Sequence, residues 1–267
     1  MMDYQHLCVK FEDGVAVLEL NRPKKRNALN FKILEEMVSF CGFVCERDDI
    51  QIVLVSGNGP SFSVGFDLMG LAPLLAQGEI PQEKQLKDWA RLGQKAVNAL
   101  AELPQITIAS VQGHAIGGGF LIMSACDFRI AANDTRFALP EIEIGLPLTW
   151  GGVGRLTQAL GMALTKDLVL TARSFYPVDL LPTLFLYKSV SPDEVKKATQ
   201  DLVTCLKEKP TPALRFCKQQ FSEAGFSEKT HSELDAQLFA DAVLHPDFLS
   251  TAMGYVQRLT TSKMDPR

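Results

Sequence analysis

Three consecutive glycines, Gly117, Gly118 and Gly119, stand in the stretch GHAIGGGFLIMSACD, directly ahead of an apolar run. A helix that starts near Gly118 leaves its first backbone N–H groups without intrahelical partners, aimed outward with the positive end of the helix dipole. Glycine has no Cβ, so a ligand oxygen can approach those groups without collision. The chemistry on offer is stabilisation of negative charge, permanent or developing. A tight turn or close backbone packing is the alternative that a glycine triplet alone leaves open. The stretch is not a phosphate loop, because neither GxxxxGK[ST] nor GxGxxG occurs there.

A second glycine-rich stretch, SGNGPSFSVGFDL, ends an apolar segment in a turn and continues through Ser63, Val64, Gly65, Phe66 and Asp67. In a parallel sheet the carboxyl ends of neighbouring strands gather on one edge, so the loops after 51–56 and 105–112 can face each other across a crevice. Each loop can then give one N–H to the same oxygen. Such a pair is an oxyanion hole, which stabilises charge developing in a transition state.

The elements that must position these loops read as an α/β pattern. Residues 6–20 alternate around Asp13-Gly14 as a hairpin with an apolar second strand, broken by Asn21-Arg22-Pro23. Asn30 caps a helix in which Ile33, Leu34, Met37, Val38 and Cys41 recur at three- and four-residue spacing. QIVLVS (51–56) is a buried strand, 88–103 a helix, 105–112 a strand, 119–126 a short buried helix and 128–132 another strand. Strand, helix, strand in this order predicts a parallel sheet with crossover connections. From about residue 161 the chain is mainly helical, with helices over 162–171, from Ser191-Pro192-Asp193-Glu194, from Thr211-Pro212 and over 248–259. The expected division is a core over 1–195 and a helical C-terminal region over 196–267.

Bulk properties narrow the function. With 267 residues, 46% hydrophobic and 22% charged, and a net charge of −4, the chain gives no electrostatic case for nucleic acid or an anionic membrane. No apolar run reaches the roughly 18 residues of a membrane span, and the start has no apolar leader core, so a cytoplasmic protein is expected. The six cysteines carry no CxxC pair and read as buried thiols in a reducing compartment. The four histidines are dispersed, and no metal site is expected.

NRPKKRNAL (21–29), VLVSGNGPSFSVGFDL (53–68), ITIASVQGHAIGGGFLIMSACDFRIAA (106–132), FALPEIEIGL (137–146), GGVGRLTQALG (151–161) and LVLTARSF (168–175) together resemble the crotonase, or enoyl-CoA hydratase/isomerase, superfamily. The resemblance runs in order from about residue 7 to residue 260. It implies a spiral of ββα repeats with a C-terminal helical region that mediates trimers, often dimers of trimers. It also implies an acyl-CoA thioester as substrate, with coenzyme A part of that substrate and no separate cofactor. By this similarity the oxyanion hole falls on the N–H groups of Val64 and Gly118, and Lys25, Arg26, Ala28 and Leu29 are coenzyme A contacts. Phe66, Asp67, Leu121 and Trp150 are further substrate-binding candidates, and residues 69–83 match the segment that covers the acyl chain.

The resemblance also says which chemistry survives. Hydratases of the superfamily use two glutamates; here the first position is Leu121 and the second is Glu141. Leucine neither orients water nor accepts a proton, whereas one carboxylate suffices to carry a proton between the α- and γ-carbons. The implied reaction is therefore a β,γ to α,β double-bond shift with Glu141 as general acid/base. An apolar Leu121 beside Glu141 is expected to raise its pKa. The isomerase of conjugated dienes is disfavoured, since its further acids fall on Leu121 and Thr149. Two alternatives stay open: a hydratase, dehydratase or lyase with a replaced second acid, acting also on a carrier-protein thioester, and a catalytically silent acyl-CoA-binding or assembly subunit.

Overall fold

The structure, a computed structural model, describes residues 4–70, 81–224, 229–245 and 248–261. Strands Leu7–Glu12 (β1) and Val15–Leu20 (β2) form an antiparallel hairpin with Glu12 opposite Val15 and Leu7 opposite Leu20. Asp13 and Gly14 turn it at φ 49° and 76°, the left-handed pair that a two-residue hairpin loop favours. Helix α1 (Phe31–Cys45) then crosses over to β3 (Ile52–Gly57), which lies parallel to β2. Asn30 caps α1 as expected, its side chain accepting the Ile33 N–H at 2.9 Å.

After α2 (Glu83–Ala101) the chain enters β4 (Ile106–Val111), β5 (His114–Ile116), α3 (Gly118–Ser124), β6 (Phe128–Ala132) and β7 (Arg136–Ala138). Helices α4 (Gly152–Leu160), α5 (Met162–Thr171) and α6 (Pro177–Leu180) lead to β8 (Lys188–Val190), and α7 (Val195–Lys207) follows. The last three helices are α8 (Thr211–Ala224), α9 (Lys229–Leu244) and α10 (Phe248–Thr261). The main sheet has the order β1-β2-β3-β4-β6-β8, parallel except for β1, and β5 pairs with β7 in a small second sheet. The strands β5, β7 and β8 escaped the sequence reading because three residues are too few to show a period.

The main sheet is buried on both faces, which is why its central strands read as continuous apolar runs. Val53, Val55, Ala109 and Val111 face one core together with Leu34, Met37 and Phe40 of α1. Their neighbours Ile52, Ile106, Ile108 and Ile130 face a second core closed by Val195, Ala198, Leu202 and Leu206 of α7. Helix α8 is tied in by Lys218, whose Nζ donates to the Gln105 carbonyl at 2.8 Å and to Asp127 Oδ2 at 2.7 Å. Ala240, Val243, Phe248 and Ala252 of α9 and α10 pack on Leu86 of α2.

Cys41 and Cys126 are buried, and burial pushes both thiols up to about 12. Cys205 and Cys217 are exposed, against the expectation of six buried thiols, because they lie on the outer faces of α7 and α8. Among the described residues no helix is long and apolar enough to cross a membrane.

Candidate active site

Three backbone segments meet beside the small sheet. The strand-like segment 62–67 runs between residues 26–29 on one side and β5 on the other, through parallel bridges Leu29↔Phe66 and Ser63↔Ala115. Ser63 donates its N–H to the His114 carbonyl at 2.9 Å, and Val64 donates to the Arg26 carbonyl at 3.1 Å. Val64 is thereby committed to its neighbour and cannot supply the oxyanion contact expected of it.

The N–H left without an acceptor lies two residues further on. A regular strand alternates its N–H directions, so Asp67 should face the same way as Ser63. Instead Asp67 donates to the Leu29 carbonyl at 2.7 Å, on the side that Val64 faces. Gly65, at φ +81°, shifts the phase by one residue, and this leaves the Phe66 N–H directed to the β5 side with no acceptor among the described residues. A Cβ at Gly65 would come within 2.6 Å of the Ile116 carbonyl oxygen and 3.6 Å of the Gly118 nitrogen. The two loops therefore touch at this point, and a side chain there would force them apart. Gly118 opens α3, and its N–H likewise has no acceptor among the described residues.

Glu141 reaches the same place from the 3-10 turn Pro140–Ile144 that follows β7. Its Oε1 lies 2.6 Å from where a Cβ on Gly117 would stand, and Gly117 itself has φ +50°. Only glycine fits both the backbone conformation and the space. The residue is half-buried, but Oε2 is buried and has no hydrogen-bond partner. Burial pushes the carboxyl up to about 7, opposed weakly by a backbone N–H of its own residue. A carboxylate near neutrality with one unpartnered oxygen is suited to move protons in both directions.

Leu121 is 2% exposed, and its Cδ2 would be 2.9 Å from a Cβ on Gly152. Its side chain packs against the start of α4 and brings no second carboxylate. Glu143, on the turn that carries Glu141, is exposed to solvent.

Trp150 closes the site on the α2 side. It is buried at φ +57°, a conformation bulky residues adopt only when the surroundings enforce it, at about 1–3 kcal/mol. A Cβ at Gly93 of α2 would fall 2.0 Å from its Cε2, and one at Gly118 would fall 2.4 Å from its Cζ3. Gly93 sits inside a helix, where glycine costs about 1 kcal/mol against alanine, and the indole explains it. Phe66 meets Trp150 edge to face at 6.3 Å, and Phe31 links Phe66 to Trp89 with ring separations of 5.3 and 4.8 Å.

The remaining candidates fall into two groups. Lys25 and Arg26 are exposed on the loop ahead of α1, open to an anionic group, and Ala28 is buried beside them. Leu29 is fully buried, and its Cδ1 lies 3.1 Å from a Cβ built on Gly118, so it lines the hole and does not face solvent. Asp67 is not free for a substrate: Oδ2 accepts from Arg22 at 2.9 Å and Oδ1 from the Gly70 N–H at 3.1 Å. Arg22 also donates to the Ala28 carbonyl at 2.6 Å, so one guanidinium ties the 26–29 segment to the end of the 62–67 segment. Sequence reasoning missed this role of Arg22, although the matched charges of NRP and GFD were visible. The expected cover over 69–83 lies, for 71–80, outside the described residues.

Comparison with known proteins points one way. Residues 10–262 match the family model described as enoyl-CoA hydratase/isomerase. A trans-2-decenoyl-[acyl-carrier-protein] isomerase of Streptococcus mutans is 30% identical over 260 residues, covering 96% of this chain and 97% of that protein. A crotonyl-CoA hydratase of Syntrophomonas wolfei is 28% identical over 242 residues, covering 90% of this chain and 88% of its own. Among solved structures, an enoyl-CoA hydratase from Bacillus halodurans superimposes with a TM-score of 0.85 at 19% identity, covering 94% of this chain and 100% of that one.

Proposed function

Because this chain belongs to the enoyl-CoA hydratase/isomerase family, and so has the crotonase fold, we propose that it is a one-base isomerase of unsaturated acyl thioesters. The thioester carbonyl accepts the N–H groups of Phe66 and Gly118, which acidifies the α-carbon of a β,γ-unsaturated acyl chain. Glu141 removes an α-proton, and the two N–H groups hold the dienolate oxygen. The protonated Glu141 then returns the proton at the γ-carbon, leaving an α,β double bond. By microscopic reversibility the same residues run the shift backwards. No electrons leave the substrate, so the step needs no redox group.

The observation that carries this reading is the lone carboxylate: Glu141 keeps a buried, unpartnered Oε2, while the position of the hydratases' other glutamate is Leu121, which cannot manage a second proton. The likeness to the S. mutans isomerase supports it, and raises a carrier-protein thioester as a substrate beside coenzyme A. For coenzyme A, the exposed Lys25 and Arg26 would meet phosphate. A homotrimer, or a dimer of trimers, is the assembly we propose. Val178, Leu181 and Leu184 are large apolar side chains exposed on one chain that such an assembly would cover, and light scattering tests it.

The test follows the absorbance of the conjugated thioester. Incubation with a β,γ-enoyl-CoA should produce conjugation, and Glu141→Gln should slow it about 10²–10⁴-fold. Crotonyl-CoA should not be hydrated at a comparable rate. Rapid hydration would put the protein with the hydratases and overturn the one-base reading. Silence on both, on coenzyme A and carrier-protein thioesters alike, would leave a binding or assembly role.

A further inference from the structure

Two residues that are unfavourable in their own local settings, a glycine inside α2 and a tryptophan in the left-handed region, meet in a single contact. The indole touches Gly93 with its Cε2–Nε1 edge and Gly118 with its Cζ3–Cη2 edge. Cε2 and Cζ3 are para to one another on the six-membered ring, so the ring bridges α2 and α3 from edge to edge. Phe66 and the Leu29 side chain close two further sides. We propose that Trp150 sets the length of acyl chain this site accepts, by barring the slot between α2 and α3.

The inference rests on the acyl-thioester reading above. If the carbonyl sits at the Phe66 and Gly118 N–H groups, the acyl chain begins within contact distance of the indole. With the ring seated on Gly93 the chain cannot run between the helices. Without the ring, a slot lined by the α2 face at Gly93 opens directly from the reacting carbons. Gly93 and Gly118 face the vacated space from the two helices. Trp150 is then a specificity-determining residue that takes no part in proton transfer.

Trp150→Gly is the informative variant, because φ +57° suits glycine and the backbone keeps its conformation. The ratio of kcat/KM for a β,γ-dodecenoyl-CoA over a β,γ-hexenoyl-CoA should rise about tenfold or more, the scale of one well-placed methylene in an apolar pocket. Trp150→Phe, which keeps an apolar filler, should shift the ratio in the same direction by less and secures the test if the glycine variant folds poorly. Titration calorimetry with saturated dodecanoyl-CoA and hexanoyl-CoA reads the same preference without turnover. A wild-type protein that turns over no enoyl thioester would defeat the isomerase reading, while the two affinities would still decide this one. An unchanged ratio of rates and of affinities in a folded Trp150→Gly overturns the proposal.

Discussion

The two backbone arms that would cradle one oxygen are held by opposite means. The 62–67 arm is fixed by polar bonds: Arg22 to Asp67 and to the Ala28 carbonyl, Ser63 Oγ to the Asn27 carbonyl at 2.8 Å, and Asn27 Nδ2 to the carbonyls of Asn58 and Ser61 at 2.9 and 2.8 Å. The 116–121 arm is fixed by fit: Gly117 under Glu141, Gly118 under Trp150, and Gly119 against Ser63, where a Cβ would come within 2.7 Å of the Ser63 carbonyl oxygen. Gly65 apart, the first arm should be hurt most by loss of a charge or a polar bond, and the second by an added methyl.

Of changes to the two arms themselves, breaking the second should have the largest effect. Gly117→Ala places a methyl on Glu141 Oε1 at a φ that alanine resists, and should lower kcat about 10²–10³-fold, the scale of losing one oxyanion donor. Steady-state kinetics beside a circular-dichroism spectrum checks that the fold survives.

The base itself gives the next effect. A carboxyl near 7 in the folded state and near 4.5 in the unfolded chain binds more protons folded than unfolded between those pH values. Stability therefore falls as pH rises through that window, and the loss is complete above about 7. Glu141→Gln should gain up to about 3 kcal/mol over wild type at pH 8 and little at pH 4, read by urea denaturation. Activity has the reverse sign, since the unprotonated base must start the reaction: kcat/KM should fall as pH drops below about 7.

On the first arm, Asp67→Ala leaves the Arg22 guanidinium only 15% exposed and without its carboxylate, and should destabilise by about 3 kcal/mol. Because the pair holds the Phe66 N–H through the backbone, kcat should fall more than KM rises. In the wild-type background Arg22→Lys should keep only part of the stability the pair gives, since lysine cannot reach Asp67 and the Ala28 carbonyl with one planar fork.

The smallest effect carries an informative sign. An alanine for glycine inside a helix ordinarily adds about 1 kcal/mol of stability. Gly93→Ala should instead lose about 1–3 kcal/mol, because its methyl overlaps the indole of Trp150. In a Trp150→Gly background the same change should become stabilising, which a double-mutant cycle of thermal unfolding would show.

Much of this comparison was legible in the chain. The glycine triplet, the glycine-rich 56–68 stretch and the hairpin at Asp13-Gly14 are signals of composition and short period, and each lies where it was expected. The N–H left open on the 62–67 arm is that of Phe66 and not the expected Val64, because one positive φ, at Gly65, shifts the alternation. Gly65 was visible, but the contact that bars a side chain there, with the Ile116 carbonyl, comes from more than fifty residues away. The Arg22–Asp67 pair and the seat of Trp150 on Gly93 are long-range contacts of the same kind, which no local pattern encodes. Desolvation of Glu141 was expected from Leu121; burial does raise it, and the space the carboxylate occupies exists because Gly117 carries no side chain.

Helix α2 holds the seat of Trp150 at Gly93 and, two turns earlier at Leu86, the packing surface for Ala240 and Val243 of α9. The far end of the polypeptide thus braces the wall of the acyl slot. Removal of α9 and α10 would take that brace away, and a protein shortened there should grow indiscriminate towards chain length before it lost its remaining secondary structure.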